Sequence, residues 1–377
     1  MNTDLPQLCL IRCQTKIRGI NLEDFEQVQS GKETENKTSE PANGQEVLYV
    51  GIDLGTYTIA ICTNKGTKFV GYSAIAYEGE QFPQSVENEN ILFGKAALEQ
   101  TDMEPKVPVK DFLMGNTGNQ EPVKFLLQHC LKSAGIELDS GESYAIIGVP
   151  AGADITYKKS ILGMARGMFT GAMVADEAFC IAYGSGRMEN CLIVDIGASK
   201  LNICHINGNV PGDEDQIKIS FAGENIDLEL IDLIREKYED AKITKHLARQ
   251  WKEEFGYVGL SDVRCEVELP LETSSEESSI TEELRLACES VVPDVVSGLT
   301  KMISDSQPDI RETLRNNIYV CGGCSKIKNV GNFIEGELKE LGGGKVFLSE
   351  DPDFAVAQGA RKLTERMPQE FWSQVNS

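Results

Sequence analysis

Val50-Gly51-Ile52-Asp53-Leu54-Gly55-Thr56 (VGIDLGT) decides the fold, because it returns as Ile193-Val194-Asp195-Ile196-Gly197-Ala198-Ser199, with its aspartate 142 positions further on. Each copy is an apolar run, then Asp, an apolar residue, Gly and a small residue, and each leads into a second apolar run, Ile59–Asn64 or Leu201–Ile206. That pattern reads as a β-hairpin whose buried strand ends in an exposed carboxylate and turns at glycine. Gly55 and Gly197 carry no Cβ, so backbone N–H groups in these turns can approach a phosphate closely. Thr56, Thr58 and Ser199 add hydroxyl donors, and Tyr57, Ala198 and Lys200 complete the two loops. A carboxylate does not bind phosphate directly. The use of Asp53 and Asp195 is to hold Mg2+, through water, beside the phosphate oxygens. A single Asp-x-Gly is an ordinary turn. Two copies, each after a buried strand and a domain length apart, specify two similar lobes acting on one triphosphate.

Outward from the two copies, strands alternate with helices. Lys68–Tyr72 and Ser143–Pro150 read as strands, and Pro122–Ser133 and Asp154–Phe169 as helices. Glu224–Tyr238 places Ile226, Leu230, Leu233 and Ile234 at helical spacing. Leu271–Ile280 (LETSSEESSI) reads as an acidic surface loop. Asn317–Val320 is a further buried strand that enters Cys321-Gly322-Gly323-Cys324, where glycines let backbone lie flat against a purine or its ribose. Cys321-x-x-Cys324 has no second Cys pair, so its spacing does not make a zinc site. The class is α/β.

Composition bounds the function. The 377 residues suffice for two domains, with 41% hydrophobic and 25% charged residues. Acidic residues number 59 against 36 basic ones, for a formal net charge of -23. That balance argues against a general nucleic-acid binder, which neutralises phosphates with Lys and Arg, and against broad adhesion to anionic lipid. The 11 cysteines lie scattered in apolar runs, as free thiols in a reducing cytoplasm do. No apolar run nears the roughly 20 residues of a transmembrane segment, and no secretory signal pattern opens the chain. Residues 1–46 read as an extension. Leu8–Ile20 is a mixed apolar and basic arm suited to docking on a partner, a membrane surface or the protein body, and Ser30–Gln45 is polar and reads as disordered.

Together these segments resemble the actin, Hsp70 and sugar-kinase superfamily, and within it the bacterial actins of the MreB and MamK type, over about Val47 to Leu363. GIDLGT (Gly51–Thr56) and VDIGAS (Val194–Ser199) resemble the two phosphate loops, and YVCGGCSKI (Tyr319–Ile327) the adenosine motif. DEAFCIAYG (Asp176–Gly184) and EDPDFAVAQGA (Glu350–Ala360) are similar to the two connecting helices, and Phe93–Phe112 is similar to the same bacterial actins. The resemblance implies an actin-like ATPase fold: two lobes, each a mixed sheet of RNase H-like type flanked by helices, with ATP and Mg2+ in the cleft between them. Lobe I is expected over 47–190 plus 340–377 and lobe II over 191–339. It also implies nucleotide contacts from Gly223, Glu224 and Lys252, beside Gly322, Gly323 and Cys324.

The chain departs from the family at three places. The Glu that positions the attacking water in MreB-type proteins reads Tyr157 here, the second phosphate loop carries Ala198 and Lys200, and an adenine-contacting Glu reads Arg249. Phosphoryl transfer rests on positioning and charge stabilisation, so binding is expected and hydrolysis is expected to be slow. The carboxylates left for catalysis are Glu177 and Asp154, with Asp53 at the metal; Glu177 otherwise reads as a helix cap. The expected function is a cytoplasmic, cytoskeletal filament assembled head to tail, serving as a scaffold that positions an organelle such as a magnetosome chain, with an adaptor or organelle-membrane protein as partner. The alternatives are a small-molecule kinase of the sugar or acetate type, which needs a substrate base, and a non-hydrolysing nucleotide-binding regulator. A chaperone-type ATPase would require a substrate-binding domain, which is not expected here.

Overall fold

The computed structural model describes residues 47–79, 82–83, 91–100, 102–113, 120–138, 141–150, 152–368 and 372. The extension 1–46 lies outside the described residues. The chain divides into two compact units. The first takes the described residues up to Glu189, Ile206–Asp213 and Val356 onward; the second takes Asn190–His205 and Glu214–Ala355.

In the first unit, β1 (Leu48–Leu54), β2 (Thr58–Thr63) and β3 (Lys68–Tyr72) form an antiparallel meander. An excursion follows, with β4 (Ile75–Ala76) paired to β5 (Leu92–Phe93) and helices α1 (Lys95–Glu99), α2 (Pro108–Leu113) and α3 (Glu121–Ser133). β6 (Ser143–Val149) then lies parallel to β1, and β7 (Gly171–Asp176) parallel to β6 across the crossover helix α4 (Ile155–Ala165). The sheet order is β3-β2-β1-β6-β7, and β7 leads into α5 (Glu177–Ser185). Every residue of β6 is buried, which explains its continuous run SYAIIGV in place of alternation.

The second unit repeats the plan. β8 (Cys191–Ile196), β9 (Leu201–Ile206) and β10 (Gln216–Ile219) form its meander. Next come α6 (Gly223–Lys237), α7 (Lys245–Phe255), the hairpin β11 (Glu266–Pro270) and β12 (Ser275–Ser279), and helices α8 (Thr281–Glu289), α9 (Val292–Asp305) and α10 (Arg311–Arg315). β13 (Ile318–Cys321) lies parallel to β8; after α11 (Val330–Leu338), β14 (Val346–Leu348) lies parallel to β13. The order β10-β9-β8-β13-β14 reproduces that of the first sheet. Hairpin turns serve the antiparallel pairs, and helical crossovers serve the parallel ones. The repeat read from two short motifs is thus a repeat of whole sheets.

Three expectations are corrected. Residues 340–355 fall in the second unit, because β14 completes its sheet edge. The acidic stretch Leu271–Ile280 is exposed for most of its length but is not a loop: Ser275–Ser279 pairs in register with Glu266–Pro270. The helix expected over Asp154–Phe169 spans Ile155–Ala165, with Asp154 as its cap.

The last helix, α12 (Ala355–Arg366), belongs from Val356 onward to the first unit. Two glycines seat it. A Cβ on Gly51 would lie 2.0 Å from the Ala357 oxygen, and one on Gly359 would lie 1.8 Å from the Cys180 oxygen. Thr364 donates to the Val50 carbonyl at 3.2 Å, and Lys362 Nζ donates to the Gly184 carbonyl at 2.5 Å. The helix therefore packs backbone to backbone against β1 and α5.

Candidate functional site

The hairpin of the first unit is built as its sequence requires. Val50, Ile52 and Leu54 are buried, while Asp53 at the end of β1 stays half-buried, paired across the sheet with Ala60 and Gly148. Gly55 makes the turn possible: a Cβ there would lie 2.6 Å from the Thr58 oxygen. The same Cβ position lies 3.9 Å from Asp53 Oδ1, so the carboxylate faces the turn. Thr56 and Tyr57 are half-buried in the loop. Tyr57 meets Tyr72 edge-on at 5.3 Å, and its carbonyl accepts from the Ser73 N–H at 2.7 Å.

Strand register brings further groups to this end of the sheet. Asp53 aligns with Gly148 on β6, which aligns with Ala175 on β7, one residue before Asp176. Asp176 caps α5 by accepting from the Phe179 N–H at 3.2 Å. The cap is therefore Asp176, and Glu177 is the first helical residue, half-buried, with its Cγ beside Gly148. Asp154 is exposed and accepts from the Tyr157 N–H at 2.8 Å, so its place is that of an N-cap. Tyr157 is 4% exposed and packs in the apolar core of this unit. Burial, then the negative charges of Glu177 and Asp53, push its phenol up. Glu177, Asp53 and Tyr157 are thus neighbours, whereas Asp154 is tied to the start of α4.

The second hairpin shares the plan and adds a supporting shell. Asp195, half-buried at the end of β8, pairs across the sheet with Cys321. Gly322 follows, with φ at +79°, and a Cβ on it would lie 2.4 Å from Asp195 Oδ1. Only glycine fits there, because the backbone lies directly against the metal-ligand candidate. Gly323 meets nothing within 4 Å. Gly197 donates to the Lys200 carbonyl at 3.0 Å and closes the turn; Ala198 and Ser199 are half-buried, and Lys200 is exposed. The loop carbonyls are then held by the start of α6. Gly223 N–H donates to Gly197 at 3.1 Å, and Glu224 N–H to Ala198 at 2.7 Å. A Cβ on Gly223 would lie 3.0 Å from Cys324 Sγ and 3.4 Å from the Ala198 Cα. Cys324 is buried, and burial pushes its thiol up. Lys252 is 7% exposed and donates to the Gly223 carbonyl at 2.8 Å.

Sequence reasoning missed Asp227, which is fully buried and joins Arg249 and Lys252. The signal was present. On α6 the buried positions include Ile226, Leu230 and Ile234, and an acid beside them on the apolar face requires a partner.

Among the described residues, no group of three or more His, Cys, Asp or Glu is placed to hold a metal alone. Magnesium fits what is present: it binds through one or two carboxylates, water and substrate phosphates. Asp53 and Asp195 each lie at a strand end beside a glycine turn, and such a carboxylate is of the type that Mg2+ takes.

A family model described as MreB/Mbl protein matches residues 48–370. The actin-like protein MamK of Magnetospirillum gryphiswaldense is 30% identical over 348 residues, covering 91% of this chain and 96% of its own length. A MamK-like protein of Paramagnetospirillum magneticum is 26% identical over 337 residues, 88% of this chain and 99% of its own length. Among solved structures, a MamK double helical filament gives a TM-score of 0.78 at 30% identity, covering 86% of this chain and 100% of that one. A non-polymerising MamK mutant bound to AMPPNP gives 0.67 at 30% identity, with 85% and 100% covered. MreB5 of Spiroplasma citri bound to AMPPNP gives 0.72 at 18% identity, with 85% and 97% covered, and shares the fold.

Proposed function

Because the chain belongs to the MreB/Mbl family of actin-like proteins, we propose that it is a nucleotide-dependent, filament-forming bacterial actin that binds ATP with Mg2+ through its two Asp-x-Gly hairpins. The observation that carries the reading is the duplicated sheet, in which Asp53 and Asp195 end equivalent strands and Gly55 and Gly197 make equivalent turns. Support for the ligand comes from a MamK relative bound to AMPPNP, and support for assembly from a MamK relative described as a double helical filament.

In this reading the N–H groups and hydroxyls of Gly55, Thr56 and Tyr57, and of Gly197, Ala198 and Ser199, bind the phosphates. Asp53 and Asp195 orient the hydrated metal, which when bound neutralises charge on the phosphate oxygens. Lys200, exposed at the second turn, adds a cation. Gly223, Glu224 and Lys252 serve the ribose and base side with Gly322, Gly323 and Cys324. Glu177 is the carboxylate for positioning water, because Asp154 is committed to a cap and Tyr157 to the core. Hydrolysis is slow, and filament contacts outlast each nucleotide. The filament acts in the cytoplasm as a scaffold, positioning an organelle of the magnetosome kind through an adaptor. No helix among the described residues is long and apolar enough to cross a membrane.

The test is pelleting and electron microscopy with ATP, ADP or no nucleotide, each with magnesium, alongside phosphate release, for the parent and Asp195→Ala. Filaments that require nucleotide and vanish in Asp195→Ala are the expected result. A protein that binds ATP yet stays monomeric across salt and protein concentration overturns the filament reading and moves a kinase or regulator to first place.

A further inference from the structure

A buried ion cluster sits behind the second hairpin, within the second unit. Asp227 Oδ1 lies 2.5 Å from Lys252 Nζ, and its Oδ2 lies 2.8 Å from Arg249 Nε. The side chains are 1% exposed for Asp227, 7% for Lys252 and 11% for Arg249. Stability does not explain such a cluster. Desolvating the charges costs about what their attraction returns, and apolar replacements are often neutral or better. Its connections explain more. Lys252 Nζ also donates to the Gly223 carbonyl at 2.8 Å. The N–H of the same Gly223 donates to Gly197, and the next N–H, of Glu224, donates to Ala198. An ion pair followed by hydrogen bonds therefore links a carboxylate inside the unit to the carbonyls of the loop Gly197–Lys200.

Resting on the reading that this loop binds phosphate, we propose that Asp227 is a positioning residue for it. Asp227 touches no ligand. It holds Lys252 so that the ammonium fixes the Gly223 carbonyl, and the start of α6 in turn fixes the loop carbonyls. Peptide planes are rigid, so fixing the carbonyl of Gly197 or Ala198 fixes the direction of the N–H that follows it, on Ala198 or Ser199. Those N–H groups are the phosphate donors of the proposed site. Arg249 holds the second carboxylate oxygen, so that Asp227 cannot swing away from Lys252. The dependence should therefore be larger in affinity for polyphosphate than in affinity for the nucleoside, which meets Gly223, Glu224 and Lys252 but not the loop donors.

The experiment measures dissociation constants of the full chain, with magnesium, for ATP, ADP and adenosine, in the parent, Asp227→Asn, Arg249→Gln and Glu253→Gln. Glu253 is exposed on α7 and feels the same two cations at longer range, so Glu253→Gln removes a nearby charge while leaving the chain of bonds intact. Thermal melting selects variants that remain folded, and Asp227→Glu supplies a conservative rescue. The expected result is a loss of about tenfold for ATP and ADP in Asp227→Asn, less in Arg249→Gln, little in Glu253→Gln, a distinctly smaller loss for adenosine in each variant, and partial recovery in Asp227→Glu. Equal losses for adenosine and ATP, or losses in Glu253→Gln matching those in Asp227→Asn, overturn the proposal; so does unchanged ATP affinity in folded Asp227→Asn. A parent that fails to bind ATP removes the reading of the loop itself, an outcome distinct from any of these.

Discussion

The seat of α12 yields a prediction whose size and sign follow from the geometry. Alanine at Gly359 would place its Cβ 1.8 Å from the Cys180 oxygen, and alanine at Gly51 would place its Cβ 2.0 Å from the Ala357 oxygen and 2.2 Å from the Arg361 nitrogen. All three obstacles are main chain, so no side chain can turn aside and the helix must withdraw by more than an ångström. Overpacking a rigid site costs about 1–3 kcal/mol. Withdrawal also stretches the buried Thr364 to Val50 hydrogen bond, worth about 1 kcal/mol. Each single substitution should therefore cost about 2–4 kcal/mol. Both displace the same helix, one from β1 and the other from α5, so a double variant should cost less than the sum, by about 1–2 kcal/mol. Gly163 on α4 is the contrast: its nearest neighbour to a new Cβ is Gln120 Oε1 at 3.8 Å. Gly163→Ala should stabilise by up to about 1 kcal/mol through helix propensity. Urea titrations followed by Trp372 fluorescence, in a Trp251→Phe background, read this unit alone, because Trp372 stacks on Tyr144 at 4.8 Å. A Gly359→Ala midpoint indistinguishable from the parent, or fully additive losses in the double variant, would refute the reasoning.

Three further outcomes are expected. Asp154→Ala should lower stability by about 1 kcal/mol, the value of an N-cap, and leave phosphate release per folded molecule unchanged; a large fall in release with an unchanged melt would return Asp154 to catalysis. Tyr157→Glu should not raise phosphate release. It places a carboxylate in an apolar core beside Glu177 and Asp53, at a cost of several kcal/mol or a neutral acid; faster release with an unchanged melting temperature would contradict this. Acid should weaken the fold through His129 and His205. Burial lowers both imidazoles below the ordinary 6.5; for His129 Lys132 lowers it further, and for His205 Asp215 partly opposes the shift. The folded state then takes up protons later than the unfolded one, so these two groups cost nothing above about pH 6.5 and stability falls as pH drops through that value toward the depressed ones. Replacing both with Gln should flatten urea midpoints between pH 7.5 and 5.5, and an equally steep profile would assign the effect elsewhere.

What the sequence made legible was local. Asp53-x-Gly55 and Asp195-x-Gly197 each pack a strand end, a turn and a ligand-ready carboxylate into a few residues, so the hairpins were readable without any partner. Tyr157 was readable too: with Ile161 and Met164 it lies on the buried face of α4 at helical spacing. Its burial could have warned that this position is lined by core and not by solvent. The three residues of β14 are too few to show a period, and Ser and Glu have little strand preference, so β14 and β12 emerged only with their partners. Gly51 against Ala357, and Lys252 against Gly223, join segments far apart in the chain, and a single sequence carries no record of such pairs. The division has a functional meaning. The groups that would touch phosphate and metal sit at strand ends and the turns after them, where local chemistry is strict. Asp227, proposed to hold the second loop, and the seat of α12 are instead fixed by packing between segments far apart in the chain.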